Sequence, residues 1–253
     1  MTGPVIGVLA AMDEEVRRLR EGLSDARIQR TGRRDYLQGT IAGHPVVVAF
    51  SRWGKSAAAS TTTTMIERFG ADRVIFTGVA GAADPALGIG DVVVASSLVH
   101  HDLDARPIIG RFEVPLLDIV EIPTDPELQR LAREAGEAVL LQDLATMIGA
   151  EERERFGIDS PRVHSGLVGS GDRFMADAAE VAALRNDLPG LLAVEMEGAA
   201  AAQVCYEHDV PMAVLRTISD RADHAAPIDF KGFVEDVASR YAERLIHRML
   251  ERI

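Results

Sequence analysis

The chain has 253 residues with a formal net charge of -12, and 47% of its residues are hydrophobic, 26% charged and 5% aromatic. That length suits one large α/β domain with a buried core; the acidic balance argues against nucleic acid and anionic membranes as partners, and few aromatics are available for single strands to stack on. Cys205 is the single cysteine, which excludes an intramolecular disulfide and a multi-cysteine metal site and makes the reducing cytoplasm the expected location.

Val5 to Ala10 reads as a buried first strand. It lacks the basic leader of a signal peptide, and no stretch of the chain is long enough to cross a bilayer. Asp13 to Leu19 reads as a short helix with acids in its first turn and bases after them, as the helix dipole favours. Tyr36 to Ile41 and Pro45 to Phe50 flank Ala42-Gly43-His44 as an antiparallel hairpin. Gly54 opens a helix that runs to Phe69, although four threonines at 61 to 64 are poor helix formers and need tight packing to compensate.

Val74 to Thr77 is a second buried strand, ending in the glycine-rich turn Gly78-Val79-Ala80-Gly81-Ala82-Ala83. Asp91 to Val99 is another. Residues 100 to 124 are loop-rich, with prolines at 107, 115 and 123. Asp125 caps a helix whose apolar stripe is Leu128, Leu131, Ala135 and Val139. Residues 149 to 162 read as polar and turn-like. His164 to Val168 is a strand leading to Gly169-Ser170-Gly171-Asp172. Leu191 to Glu195 is a strand, Gly198 to Ala202 starts a close-packed helix, and Met212 to Ile218 is the last strand. A C-terminal helix then places Phe230, Phe233, Val234, Val237, Tyr241, Leu245 and Met249 on one sheet-covering face. Short apolar strands alternating with helices argue a three-layer α/β sandwich around a central mixed, mostly parallel sheet. No linker divides it, so residues 1–253 read as one domain.

In such folds ligands gather at the carboxyl ends of strands. Four strand ends stand out: Met12 to Glu15, Glu195 to Glu197 and Ser219-Asp220 carry polar residues, and Gly78 to Ala82 is glycine-rich. Two acids after the buried Leu191 to Val194 are costly unless something specific pairs with them. One carboxylate can grip adjacent sugar hydroxyls; the plainer reading is a capped strand end. Asp220 suits a general acid if burial raises its pKa, or it simply caps the next segment. Glu15, in a first helical turn, suits a general base toward water, or is an ordinary helix acid. Gly78-Val79-Ala80-Gly81 resembles an anion-binding nest but lacks the dinucleotide fingerprint, so a structural turn is as good a reading. Phe174 can stack on a planar base or pack in the core. Histidines 100, 101, 164, 208 and 224 form no zinc motif; His101 and His224 are the two that fall near a pocket, and the others read as surface or packing residues.

These motifs occur together and in order in one family. Ala11-Met12-Asp13-Glu14-Glu15-Val16, Thr77-Gly78-Val79-Ala80-Gly81, Ser170-Gly171-Asp172-Arg173-Phe174, Val194-Glu195-Met196-Glu197 and Arg216-Thr217-Ile218-Ser219-Asp220 resemble the 5'-methylthioadenosine/S-adenosylhomocysteine nucleosidases. That family lies within the purine and uridine nucleoside phosphorylase superfamily. The resemblance implies a nucleoside phosphorylase-like fold and cleavage of an N-glycosidic bond by water. It implies that Glu15 activates the water and Asp220 protonates the leaving purine at N7. It also implies that Glu197 and Met196 hold the ribose, Ser219 positions Asp220, and Phe174 and Met175 contact the base. Arg216 would lie near the water, and Val79, Ala80 and Gly81 would line the site. No metal or redox cofactor is implied. The implied partners are a purine nucleoside, water and a second copy of the chain in a homodimer.

The pattern departs from the family at three places. Val79 stands where a serine is usual, Ala82 where a second glycine is usual, and His100 to Ile122 differ from the usual form. These departures leave the 5' substituent open. A futalosine-type nucleosidase, a phosphate-using phosphorylase and a non-catalytic nucleoside-binding protein are the competing expectations. Glu15 argues against the phosphorylase, because a carboxylate repels phosphate.

Overall fold

The computed structural model describes residues 4–223 and 226–253. Alternation of apolar side chains along the strands builds two cores, one on each side of a sheet. Val74 and Phe76 of β5 (Ala71–Ala82) face one way and Ile75 faces the other. In the same manner Val93 and Ala95 of β6 (Val92–His100) oppose Val92 and Val94. One side is covered by α2 (Lys55–Phe69) and α7 (Gly198–Glu207), through Ala58, Met65 and the alanines at 199 to 202. The other is covered by α1 (Asp13–Glu21), α3 (Pro126–Ala138) and α9 (Ser239–Leu250), through Val16, Leu19, Leu128, Leu131, Tyr241 and Leu245. This is the expected three-layer arrangement.

The sheet is mixed. β1 (Val5–Ala10) runs parallel to β4 (His44–Phe50) and to β5, and β10 (Met212–Asp220) runs parallel to β5. β6, β8 (Val163–Ser170) and β9 (Leu191–Glu195) form a second parallel set. Antiparallel pairs β10–β6 and β5–β9 join the sets, so five strands close into a ring. β3 (Arg34–Ile41) and β4 make the expected hairpin. β7 (Ile122–Pro123) adds a two-residue pairing to β6.

Several segments differ from expectation. The glycine-rich run after Thr77 is not a turn: β5 continues as strand to Ala82, because its far end pairs with β10 and β9. Residues 149 to 162 include the helix α5 (Ala150–Phe156), ended by Gly157 at φ 66°. β2 (Ser24–Thr31) is an exposed edge strand without apolar alternation, so its sequence carries no strand period. α6 (Ala178–Asp187) is capped by Asp177, whose carboxylate accepts from Ala179 N at 2.8 Å. The C-terminal helix is three pieces: α8 (Ala226–Phe233), a π-helical turn (Val234–Ala238) and α9. A similar π-helical turn (Val139–Asp143) and the short α4 (Leu144–Met147) prolong α3.

The threonine run in α2 is accommodated by hydrogen bonding as well as packing. Thr61, Thr62, Thr63 and Thr64 each donate the hydroxyl to the carbonyl four residues earlier, at 2.8, 2.9, 2.9 and 2.8 Å. Asp125 caps α3 as expected, accepting from Leu128 N at 2.8 Å. Among the described residues no helix is long and apolar enough to cross a membrane.

Candidate active site

The carboxyl ends of β1, β5, β9 and β10 meet at one pocket. Glu15, in the first turn of α1, is only 2% exposed. Its Oε2 accepts from Ala11 N and Met12 N, both at 2.9 Å, and its Oε1 accepts from Val79 N at 3.0 Å. Burial pushes the carboxyl up from the usual glutamate range, while Arg216 and these three amides pull against it. Glycine at 78 makes the approach possible: a methyl group there would stand 2.7 Å from Glu15 Oε1. The Gly78 to Gly81 run is therefore neither an anion nest nor a turn. It is a strand end whose two glycines leave room for acids to close on it.

Glu195 and Glu197 follow β9 and take different directions. Glu195 is the hub of a buried network. It accepts from Gly198 N at 2.8 and 3.0 Å, from Glu197 N at 3.2 Å and from the Ser170 hydroxyl. It also forms an ion pair with Arg216 at 2.7 Å. Glu197 is 6% exposed and lines the pocket, with Oε1 accepting from Gly54 N at 2.7 Å. Gly54 adopts φ 92°, a left-handed conformation that favours glycine, and this turns its amide toward the carboxylate. Burial, then the Glu195 charge, hold the Glu197 carboxyl well above the usual range. These carboxyls favour a cationic sugar in their ionised forms.

Asp220 ends β10 and is 2% exposed. Its Oδ2 accepts from the Ser219 hydroxyl at 2.8 Å and its Oδ1 from Ala222 N at 2.9 Å. A methyl group at position 81 would stand 2.9 Å from Asp220 Oδ1, so this glycine too exists for close approach.

The pocket spans about 570 Å³, open solvent at its mouth included. Its wall brings together Glu15, Val79, Ala80, Gly81, Phe174, Met175, Met196, Glu197, Ser219 and Asp220. Arg216 is not in that wall. It is 1% exposed, lies over the Phe76 ring at 4.1 Å and spends its strongest bonds on Glu195, which does reach the pocket.

The sequence matches the phosphorylase superfamily over residues 5–251. The chain belongs to that superfamily. A 5'-methylthioadenosine/S-adenosylhomocysteine nucleosidase of Bacillus cytotoxicus is 34% identical over 249 residues, covering 98% of this chain and 99% of the relative. This places the chain in that nucleosidase family. A Colwellia psychrerythraea nucleosidase of the family, solved with adenine, superposes with a TM-score of 0.86 at 32% identity, over 98% of this chain and 95% of the other. A futalosine hydrolase of Helicobacter pylori superposes with a TM-score of 0.82 at 31% identity, over 99% and 98% of the two chains.

Within this superfamily frame the departures become concrete. Val79 keeps its backbone role, since its amide binds Glu15, but its side chain adds an apolar wall where a serine hydroxyl is usual. Trp53 and Phe230 line the pocket and escaped sequence reasoning. Trp53 follows β4 by three residues, so the strand-end rule applied to that strand finds it. Phe230 packs against the sheet-covering core as expected and also stands edge-on between Phe174 and Trp53, at 5.5 and 6.3 Å between ring centres.

Among the described residues no histidine lines the pocket. His101 is buried against Gly169 and Gly171 and does not line the pocket. Burial pushes both His101 and His100 down, toward the neutral form. His164 meets Asp91 at 3.0 Å and His208 meets Glu67 at 3.2 Å, and neither pair lines the pocket. His224 lies outside the described residues.

Proposed function

We propose that this protein hydrolyses the N-glycosidic bond of 5'-methylthioadenosine, S-adenosylhomocysteine or a related purine nucleoside, releasing adenine and the thioribose. The observation that carries this reading is the meeting of Glu15, Glu197 and Asp220 on one pocket, each buried and each presented by a different strand end. Family membership supports the same chemistry.

The bond between the sugar C1' and the purine N9 breaks and its electron pair leaves with the base. Asp220 gives its proton to N7, which makes the purine a better leaving group. Positive charge grows on the sugar, and Glu197 and Glu15 favour it. Glu197 accepts hydrogen bonds from the ribose hydroxyls. A water oxygen attacks C1' and Glu15 takes its proton. Ser219 fixes Asp220 through the hydroxyl bond, Phe174 and Met175 contact the base, and Met196 lies under the ribose. No metal or redox cofactor enters these steps.

Phosphorolysis is disfavoured by a specific contact. The Val79 amide is already used by Glu15, and an ionised carboxylate there repels phosphate. A futalosine-type substrate is the second reading, because the ring series Phe174, Phe230 and Trp53 leads to the mouth, where Trp53 is 59% exposed. Such a surface suits a flat 5' group.

The match over residues 5–251 supports a single domain. The free, buried Cys205 supports a reducing, cytoplasmic setting. Ile108 and Leu116, 88% and 97% exposed on the 101 to 121 segment, support a homodimer through that segment. The test of function is release of free base from a panel of nucleosides that differ only at the 5' position. Asp220→Asn, folded, is expected to lose about 10²- to 10⁴-fold in turnover, and normal turnover in it would remove the acid assigned here.

A further inference from the structure

Among the described residues, Arg216 is a cation whose charge bears on both Glu15 and Glu197, and it forms an ion pair with Glu195. Its Nε and one terminal nitrogen both bond Glu195 Oε2, at 3.2 and 2.7 Å. The other terminal nitrogen bonds the carbonyls of Phe76 at 3.3 Å and Leu215 at 3.1 Å. That same nitrogen and Glu15 Oε1 border one small space, the position of a methyl group at 78, at 3.4 and 2.7 Å from it. The arginine thus sits behind the pocket with Glu195 on one side and Glu15 on the other. Glu195 in turn fixes the first amides of α7 and the Ser170 hydroxyl, and that hydroxyl accepts from Ala199 N at 2.7 Å.

We propose that Glu195 and Arg216 are positioning residues of this site, a buried pair that sets how much of the arginine's charge reaches Glu15 and Glu197. The role in turnover rests on the hydrolysis reading; the charge balance itself does not. A strand-end cap needs only the Glu195 bonds to Glu197 N, Gly198 N and Ser170, whereas a guanidinium shared with Glu15 adds an electrostatic task. The groups facing the two pocket acids are few. Glu15 faces Arg216 and the amides of Ala11, Met12 and Val79. Glu197 faces Glu195, Arg216, Glu15 and the Gly54 amide. On the β6 side His100 and His101 feel the Glu195 charge, and Lys55 and Asp102 act on the same two histidines.

The two charges act in opposite directions. Removing Arg216 leaves the acids facing one another, so both hold their protons to higher pH. Removing Glu195 takes away a like charge and frees the arginine's full charge, so both ionise at lower pH. The experiment is a titration of the glutamate side-chain carboxyl carbons by NMR in the substrate-free chain, alongside kcat/KM against pH with 5'-methylthioadenosine. Arg216→Met is expected to move the Glu15 and Glu197 titrations up, and Glu195→Gln to move them down, each by about one unit or more. The acidic limb of kcat/KM is expected to follow in the same two directions, with an activity loss of about 10- to 100-fold. Arg216→Lys, which keeps the charge, is expected to return the titration toward its original position.

Glu195→Asp withdraws the carboxylate by one methylene and is expected to shift the titrations as Glu195→Gln does, by less. It serves where the larger change prevents folding. Titrations that stay in place in the folded variants, or that move in one common direction, would overturn the proposal. Adenine release by the unaltered chain tests the hydrolysis separately, because the carboxyl titration needs no turnover.

Discussion

Glu15 must be ionised to take a proton from water, yet burial raises its pKa. Activity therefore falls as pH drops through a value above the ordinary glutamate value of 4.5. A kcat/KM profile is expected to show that limb, and a profile flat down to pH 4.5 would remove Glu15 from the base role. Glu15→Gln is expected to lose turnover while still binding adenine. Glu197 makes a prediction about stability. Its folded pKa is raised, so its contribution is full below the unfolded value and is lost as pH rises through the folded value. Glu197→Gln removes that loss. The substrate-free variant is expected to melt a few degrees higher than the parent at pH 8, with the gap closing toward pH 4, and to be inactive. Equal melting temperatures at pH 8 would contradict the burial argument.

At the scale of elements, the strand ends carry the site. Gly78 and Gly81 have no side chains because Glu15 and Asp220 occupy that space. Gly81→Ala is expected to push Asp220 aside, with a loss of turnover of about 100-fold. Its stability cost is expected to be about 1–3 kcal/mol. Unchanged kcat with normal folding would show that Asp220 has room to spare. Asp125→Ala, at the cap of α3 and away from the pocket wall, is the control: about 1 kcal/mol of stability and no change in kcat.

These elements also show what a sequence can and cannot say. The apolar strands at Val5, Val74, Leu191 and Met212 were legible because burial on both faces writes a continuous apolar run. Polar residues directly after them pointed to Glu15, Glu197 and Asp220. β2 was not legible, since an edge strand exposed on both faces has no period to read. The run Gly78 to Ala82 was misread as a turn because glycine there answers to neighbours distant in sequence. Glu195 looked like mere support for a strand end, since its partner Arg216 stands 21 residues away. Phe230 shares a helical period with core residues and packs against them, and only the fold shows that it also borders the pocket.

For the whole molecule, the ring closed by β5, β6, β8, β9 and β10 makes one rigid frame behind the pocket, with helices packed on both sides. The 101 to 121 segment leaves it and exposes Ile108 and Leu116. Sedimentation is expected to give twice the mass of the chain, and Leu116→Asp to lower it toward one; a parent chain that sediments as a monomer would remove the homodimer. Product analysis bears most directly on the central assignment. Incubated with 5'-methylthioadenosine in phosphate-free buffer, the protein is expected to release adenine and free methylthioribose in equal amounts, at a rate that added phosphate leaves unchanged. No adenine, or a sugar 1-phosphate that forms only when phosphate is present, would contradict it.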